Sequence, residues 1–263
     1  MCNREPRTGR SLRRRIELHR NGIARLAVWD HGPRGTLVAV DTVEYAPGRL
    51  ADVFGDSRRP TVLLWHGMQT DARAAFGPLA GMLSDRGAAV VAPDWNSHAD
   101  DGGRADLLGS LDFTRDFAGP GNGIVLVGWS MGGCAAAGLT LNAARFDATL
   151  VHTVCLAGAF MVPDPLSGQA PADALSDGRA GTPFTLLHGL ADDAVPVSAS
   201  REFATALGRA GWPVELVELD ADHGSIAGAD YDPVADRYEP GMSEEALRVA
   251  GEVATRIAAL IGH

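Results

Sequence analysis

Short apolar runs alternate with longer amphipathic stretches along most of this chain. From residue 61 the alternation is regular. Residues 61–65, 88–92, 124–127, 148–156, 183–188 and 213–219 are rich in Val, Leu, Ile and Phe and are bounded by Gly, Pro or Asp, as buried strands are. Between them, residues 71–86, 106–117, 131–146, 198–209 and 243–261 read as helices. In the first of these, Ala74, Ala75, Phe76, Leu79, Met82 and Leu83 share a face, Gly87 ends it, and Pro78 marks the start of its regular part. The second carries Leu107, Leu108, Leu111 and Phe117, and the last carries Ala246, Ala250, Val253, Ile257 and Leu260. Upstream, residues 15–20 and 24–29 read as short strands around the Asn21-Gly22 turn signal, with further strands at 36–40, 43–45 and 50–54 and a break at Pro47-Gly48. Strands alternating with helices predict an α/β fold, a mostly parallel central sheet with helices on both faces.

Length and charge refine this. The 263 residues suffice for one large α/β domain, and 46% hydrophobic with 21% charged residues is ordinary for a soluble globular chain. A net charge of −10 speaks against nucleic acid as a partner. Arg4, Arg7, Arg10, Arg13, Arg14 and Arg15 stand against Glu5 alone in residues 1–15, which read as a basic, flexible arm before a domain spanning 16–263. No apolar run follows the arginines as a secretion signal requires, and none approaches a membrane span. Cys2, Cys134 and Cys155 have no metal-like spacing, and the last two fall in a core helix and strand. The expectation is a reduced, cytoplasmic protein without metal. Residues 119–123 are glycine-rich but lack the strand and helix of a dinucleotide site, so no cofactor is expected. The Pro/Gly/Ala/Asp-rich connection at 158–182 is long enough to border a site and too short to be a separate lid domain. The oligomeric state is not legible.

Chemistry concentrates after strand 124–127, in Gly128-Trp129-Ser130-Met131-Gly132 followed by the small-residue run Gly133 to Gly138. Strand, sharp turn and helix are the context in which G-x-S-x-G marks a nucleophile. The turn lifts the Ser130 hydroxyl clear of the backbone and sets the Met131 N–H at a helix start, where it favours an oxyanion. A serine hydroxyl needs a base, and the base needs an orienting carboxylate. In parallel sheets such groups gather at the carboxyl ends of strands. His223, in a polar exposed loop past residue 219, is the best-placed base, with His98 second; His66 and His188 sit directly on strand ends and read as structural. Asp192 and Asp193 lie just past strand 183–188, so one of them orients His223 while the other caps a helix or faces water. Asp192 is preferred, and Asp164, one strand earlier, is the rival. The Met68 N–H, after His66-Gly67, is the candidate second oxyanion donor. Trp129, Trp95, Phe160 and Met161 lie near strand ends and are candidate walls of an acyl pocket, with core packing the alternative for the two tryptophans. Residues 226–240, with Tyr231 and Tyr238, either cover the mouth or pack on the surface.

The order Ser130, Asp192, His223 resembles the α/β-hydrolase superfamily over roughly residues 40–263, through Gly-Trp-Ser-Met-Gly-Gly, Val-Ala-Pro-Asp-Trp, His-Gly-Leu-Ala-Asp-Asp-Ala-Val-Pro and Asp-His-Gly. It is most similar to small lidless bacterial serine esterases and dienelactone-hydrolase-like proteins. That resemblance implies that Asp192 rather than Asp193 is the triad acid, and that Met68 supplies an oxyanion N–H. It implies a serine carboxylesterase acting on small acyl esters or thioesters through an acyl-enzyme. Acyl transfer, peptide cleavage and C–C hydrolysis remain open on the same triad, with a non-catalytic binding protein as the outlying alternative. Met68-Gln69 stands where many esterases of this size have further glycines after His-Gly, and serine replaces the cysteine of true dienelactone hydrolases.

Overall fold

The computed structural model describes residues 16–18, 24–26, 29–30, 37–38, 40–175 and 181–261. The expected basic arm and the Asn21-Gly22 turn lie outside them. Four short strands come first: β1 (Ile16–Leu18), β2 (Ala24–Leu26), β3 (Trp29–Asp30) and β4 (Leu37–Val38). Then follow β5 (Val40–Ala46), β6 (Arg49–Phe54), β7 (Thr61–Trp65), α1 (Gly77–Asp85), β8 (Ala89–Pro93), α2 (Arg104–Ala118) and β9 (Ile124–Trp129). The rest is α3 (Met131–Leu141), β10 (Leu150–Leu156), β11 (Phe184–Gly189), α4 (Val197–Arg209), β12 (Val214–Leu219), β13 (Ala229–Asp232), β14 (Arg237–Pro240) and α5 (Glu244–Ile261). The main sheet runs in the order β1-β2-β5-β6-β8-β7-β9-β10-β11-β12. From β8 to β12 neighbouring strands are parallel, while β6 joins β8 and β5 joins β6 antiparallel.

Each central strand is buried on both faces, so its alternate side chains serve two cores. Val62, Leu64, Val125 and Val127 meet Phe76, Leu79 and Leu83 beside α1 and Val249, Val253 and Ile257 of α5. Leu63, Trp65, Ile124 and Leu126 meet Leu107 and Leu111 of α2, Ala135 and Leu139 of α3, and Phe203 and Leu207 of α4. In α5 the buried positions Ala246, Val249, Ala250, Val253, Ala254 and Ile257 recur at three and four residues, which lays one stripe on the sheet.

Two expected helices differ in extent. Residues 71–86 begin with a 3-10 turn (Arg73–Phe76) before α1, whose second position is Pro78. Residues 131–146 end early: α3 stops at Leu141 and a second 3-10 turn (Ala143–Phe146) follows. Register places the chemistry. Trp65 pairs with Gly128, and Leu156 with Trp129, so β7, β9 and β10 end level and their following loops share one edge.

Candidate active site

Ser130 caps α3 with φ 56° and ψ −118°, a left-handed conformation that a side chain adopts only under strain. The chain around it enforces that turn. The Ser130 N–H donates to the Leu156 carbonyl (2.9 Å), and its own carbonyl accepts from Cys134 (3.1 Å) and Ala159 (3.1 Å). No side chain fits at Gly128 or Gly132. A Cβ on Gly128 would land on the Gly132 carbonyl, and one on Gly132 would land on the carbonyls of Trp65 and His66. The run from Gly132 to Thr140 is buried almost all round, which lets α3 settle close against the sheet.

The candidate acid and base lie in the loops after β11 and β12. The His223 Nδ1–H donates to Asp192 Oδ2 at 2.7 Å. Asp192 Oδ1 accepts from the Ala194 (2.9 Å) and Val195 (2.8 Å) N–H groups. His188 Nε2 lies 3.4 Å from Oδ2 while donating to the Val195 carbonyl at 2.9 Å. Its Nδ1 accepts from the Ser200 hydroxyl at 2.7 Å. Burial pushes the Asp192 pKa up, but the hydrogen bonds from His188, His223 and Val195 outweigh it and hold the carboxyl below the usual range. Two backbone bonds lock these two loops together, from Leu190 N–H to the Leu219 carbonyl (2.8 Å) and from Ala191 N–H to the Ala221 carbonyl (3.0 Å).

Ser130 and His223 open onto one cavity of about 330 Å³. Met68, Met131, Met161, Val195 and Tyr238 also line it, and among the described residues no arginine does. The Ser130 hydroxyl makes no hydrogen bond among the described residues.

Among solved structures, esterase 2 of the planctomycete Thermogutta terrifontis matches over most of its length. The form phosphoramylated by tabun superposes with a TM-score of 0.65 at 19% identity, covering 85% of this chain and 95% of that one. The butyrate-bound form gives 0.64 at 18%, covering 85% and 94%. This chain has the α/β-hydrolase fold. No protein-family model and no curated protein sequence matches it.

Within the α/β-hydrolase fold, the loop after β7 faces Ser130. His66 is fully buried and neutral. Its Nδ1–H donates to the Gly67 carbonyl (2.8 Å), while Nε2 accepts from the Ala72 (3.3 Å) and Trp95 (3.2 Å) N–H groups. A trans peptide points its C=O and N–H in opposite directions, so holding the Gly67 carbonyl aims the Met68 N–H. The Met68 N–H has no acceptor among the described residues. Met131, the first residue of α3, has no intrahelical acceptor either.

Burial lowers the His66 pKa to about 4. The unfolded chain, near 6.5, binds the proton first, so His66 contributes stability above about pH 6.5 that is lost as pH falls towards 4. At about 1.4 kcal/mol per unit the full loss is roughly 3 kcal/mol. Urea unfolding across this range will show the decline, and His66→Gln will flatten it; an unchanged slope would refute the assignment.

Other expectations need correction. His223 is not exposed: it is 4% accessible and held between the Trp129 (5.4 Å) and Tyr238 (5.7 Å) rings. Trp129 and Met161 line the cavity, but Trp95 and Phe160 do not. Trp95 stacks on His66 and donates to its carbonyl (3.1 Å), and Phe160 stacks on Phe203 at 4.2 Å. Asp164, the alternative acid, makes no hydrogen bond to His223 among the described residues. It is buried against Gly138, and its carboxylate closes its own loop through Leu166 and Ser167 N–H groups, each 2.8 Å away. Asp193 faces water, and exposed His98 lies off the cavity.

Sequence reading missed Tyr238 and Gln69 as a pair. The Gln69 side chain donates to the Tyr238 carbonyl (3.3 Å) and accepts from its N–H (2.7 Å), tying the loop after β7 to the β13–β14 hairpin. Alternation of Tyr and acidic residues over 229–232 and 237–240 was the available signal for that hairpin. Burial, with the nearby Asp192, Asp193 and Asp222 carboxylates, raises the Tyr238 phenol to about 12, so it stays protonated.

Proposed function

We propose that the protein is a serine hydrolase that cleaves small neutral carboxylic esters through a Ser130–His223–Asp192 triad. One observation carries the reading: the 2.7 Å His223–Asp192 bond faces a cavity that Ser130 enters from a strained strand-to-helix turn. With Asp192 holding Nδ1–H, Nε2 of His223 is free to take the Ser130 proton as the hydroxyl attacks an acyl carbonyl. The Met68 and Met131 N–H groups receive the developing oxyanion, each worth about 2.7–4 kcal/mol by analogy with a removed oxyanion donor. The imidazolium then protonates the leaving alcohol, and water activated by His223 releases the acid. Esterase 2 of T. terrifontis, phosphoramylated by tabun and seen with butyrate, offers a precedent on the same fold.

The cavity supports the substrate class. Its apolar lining, with no arginine among the described residues, favours an uncharged acyl group. Its volume of about 330 Å³ is at the lower end of small-molecule sites. Among p-nitrophenyl esters and acyl thioesters of increasing length, kcat/KM is expected to peak at short chains and fall at lauroyl and palmitoyl. Wild-type protein inactive across the panel and unlabelled by a fluorophosphonate would overturn the reading.

A further inference from the structure

The acid and base loops are fastened to each other, and the serine turn is fastened to β10. Catalysis on the proposed triad requires these two units to be fixed relative to each other. Among the described residues, a single hydrogen bond joins the serine turn to the base loop: the Trp129 indole Nε1–H donates to the His223 carbonyl at 2.8 Å. It spans 94 positions of sequence, and its donor is the residue immediately before Ser130.

We propose that Trp129 is a positioning residue that sets the distance between Ser130 and His223. This rests on the triad reading above. The backbone of Trp129 ends β9 and so fixes where Ser130 begins. Its side chain fixes the backbone of His223 from the other direction. The indole is 1% exposed and cannot swing away. Phe76 meets it at 6.1 Å and Tyr238 edge-on at 4.9 Å. A Cβ on Gly67 would stand 3.5 Å from its Cε3, so the oxyanion loop rests on the same ring. One side chain thus abuts the nucleophile turn, the oxyanion loop and the base. Asp192 sets the tautomer and ring orientation of His223; Trp129 sets where that ring starts from.

A ring that only fills space tolerates loss of its N–H, whereas a strut does not. The decisive variant replaces Trp129 with β-(3-benzothienyl)alanine, which keeps the shape and puts sulfur in place of N–H. Since small misplacements cost up to about 10²-fold, kcat on the best short-chain ester is expected to fall roughly 10- to 100-fold. KM stays within about twofold, and the melting temperature falls by only a few degrees as the His223 carbonyl loses its donor. Trp129→Phe follows the same split with some loss of stability. An isostere with wild-type kcat in an active enzyme overturns the positioning role and leaves the esterase reading standing. A wild-type protein that neither hydrolyses esters nor takes a fluorophosphonate at Ser130 takes both down.

Discussion

Ser130→Ala will abolish ester hydrolysis, with kcat falling roughly 10⁶-fold on the precedent of a removed triad serine. The fold will hardly notice. The Ser130 hydroxyl makes no hydrogen bond among the described residues, so its loss leaves no partner unsatisfied. Alanine also inherits the same strained φ of 56°. Ser130→Gly separates activity from stability more sharply. A non-glycine residue in this region costs about 1–3 kcal/mol. Glycine relieves that strain and loses about 0.4–1 kcal/mol through the freer unfolded chain. The glycine variant should therefore be equally inactive yet melt a few degrees above the alanine variant, at roughly 2–4 °C per kcal/mol. Residual activity near wild type in either variant would remove Ser130 from the mechanism. A glycine variant less stable than alanine would mean that the turn is not strained.

What was legible in the sequence divides along sequence distance. Strands buried on both faces leave a local record, and residues 61–65 form β7 just as their unbroken apolar run predicts. The serine turn is also local, since strand, glycine-flanked serine and small-residue helix lie within one segment. What escaped depends on contacts between distant segments. The burial of His223 follows from Trp129, 94 positions away, and the wall built by Tyr238 follows from Gln69, 169 positions away. Neither separation leaves a periodic trace. Trp95 and Phe160 were misplaced for a related reason. Position after a strand says that a side chain lies at the site's edge of the sheet, but not whether it turns into the cavity or back into the core. The N-terminal strands were readable only in outline: residues 24–29 divide between β2 and β3, residues 43–45 lie within the longer β5, and the Asn21-Gly22 turn and residues 1–15 lie outside the described structure.

Asp192→Asn will cost about 10⁴-fold in kcat, the scale set by the same change in a serine protease triad. The route can be derived from the donors around the carboxylate. Oδ1 accepts from two backbone N–H groups, Ala194 and Val195, and neither can rotate away or lose its proton. Asparagine must therefore place its one carbonyl oxygen there, because an NH₂ facing two N–H groups leaves both unpaired. That puts the NH₂ against His223 Nδ1, which sits 2.7 Å from Oδ2 in the native site. The imidazole responds by moving its proton to Nε2 and accepting at Nδ1. Nε2–H then faces Ser130 and cannot take its proton. His188 adds a stability cost, because its Nε2–H, 3.4 Å from Oδ2, now meets a second donor. Asp193→Asn, on the exposed neighbour, should leave kcat within about twofold. Stability against pH provides an independent check. The native Asp192 pKa lies below its unfolded value, so its contribution is present above about pH 4 and is lost as pH falls through the native value. Acid unfolding of the asparagine variant should therefore be shallower below pH 4, even though it is less stable at neutral pH. Near-wild-type kcat for Asp192→Asn together with a large loss for Asp193→Asn would transfer the acid role to the neighbour.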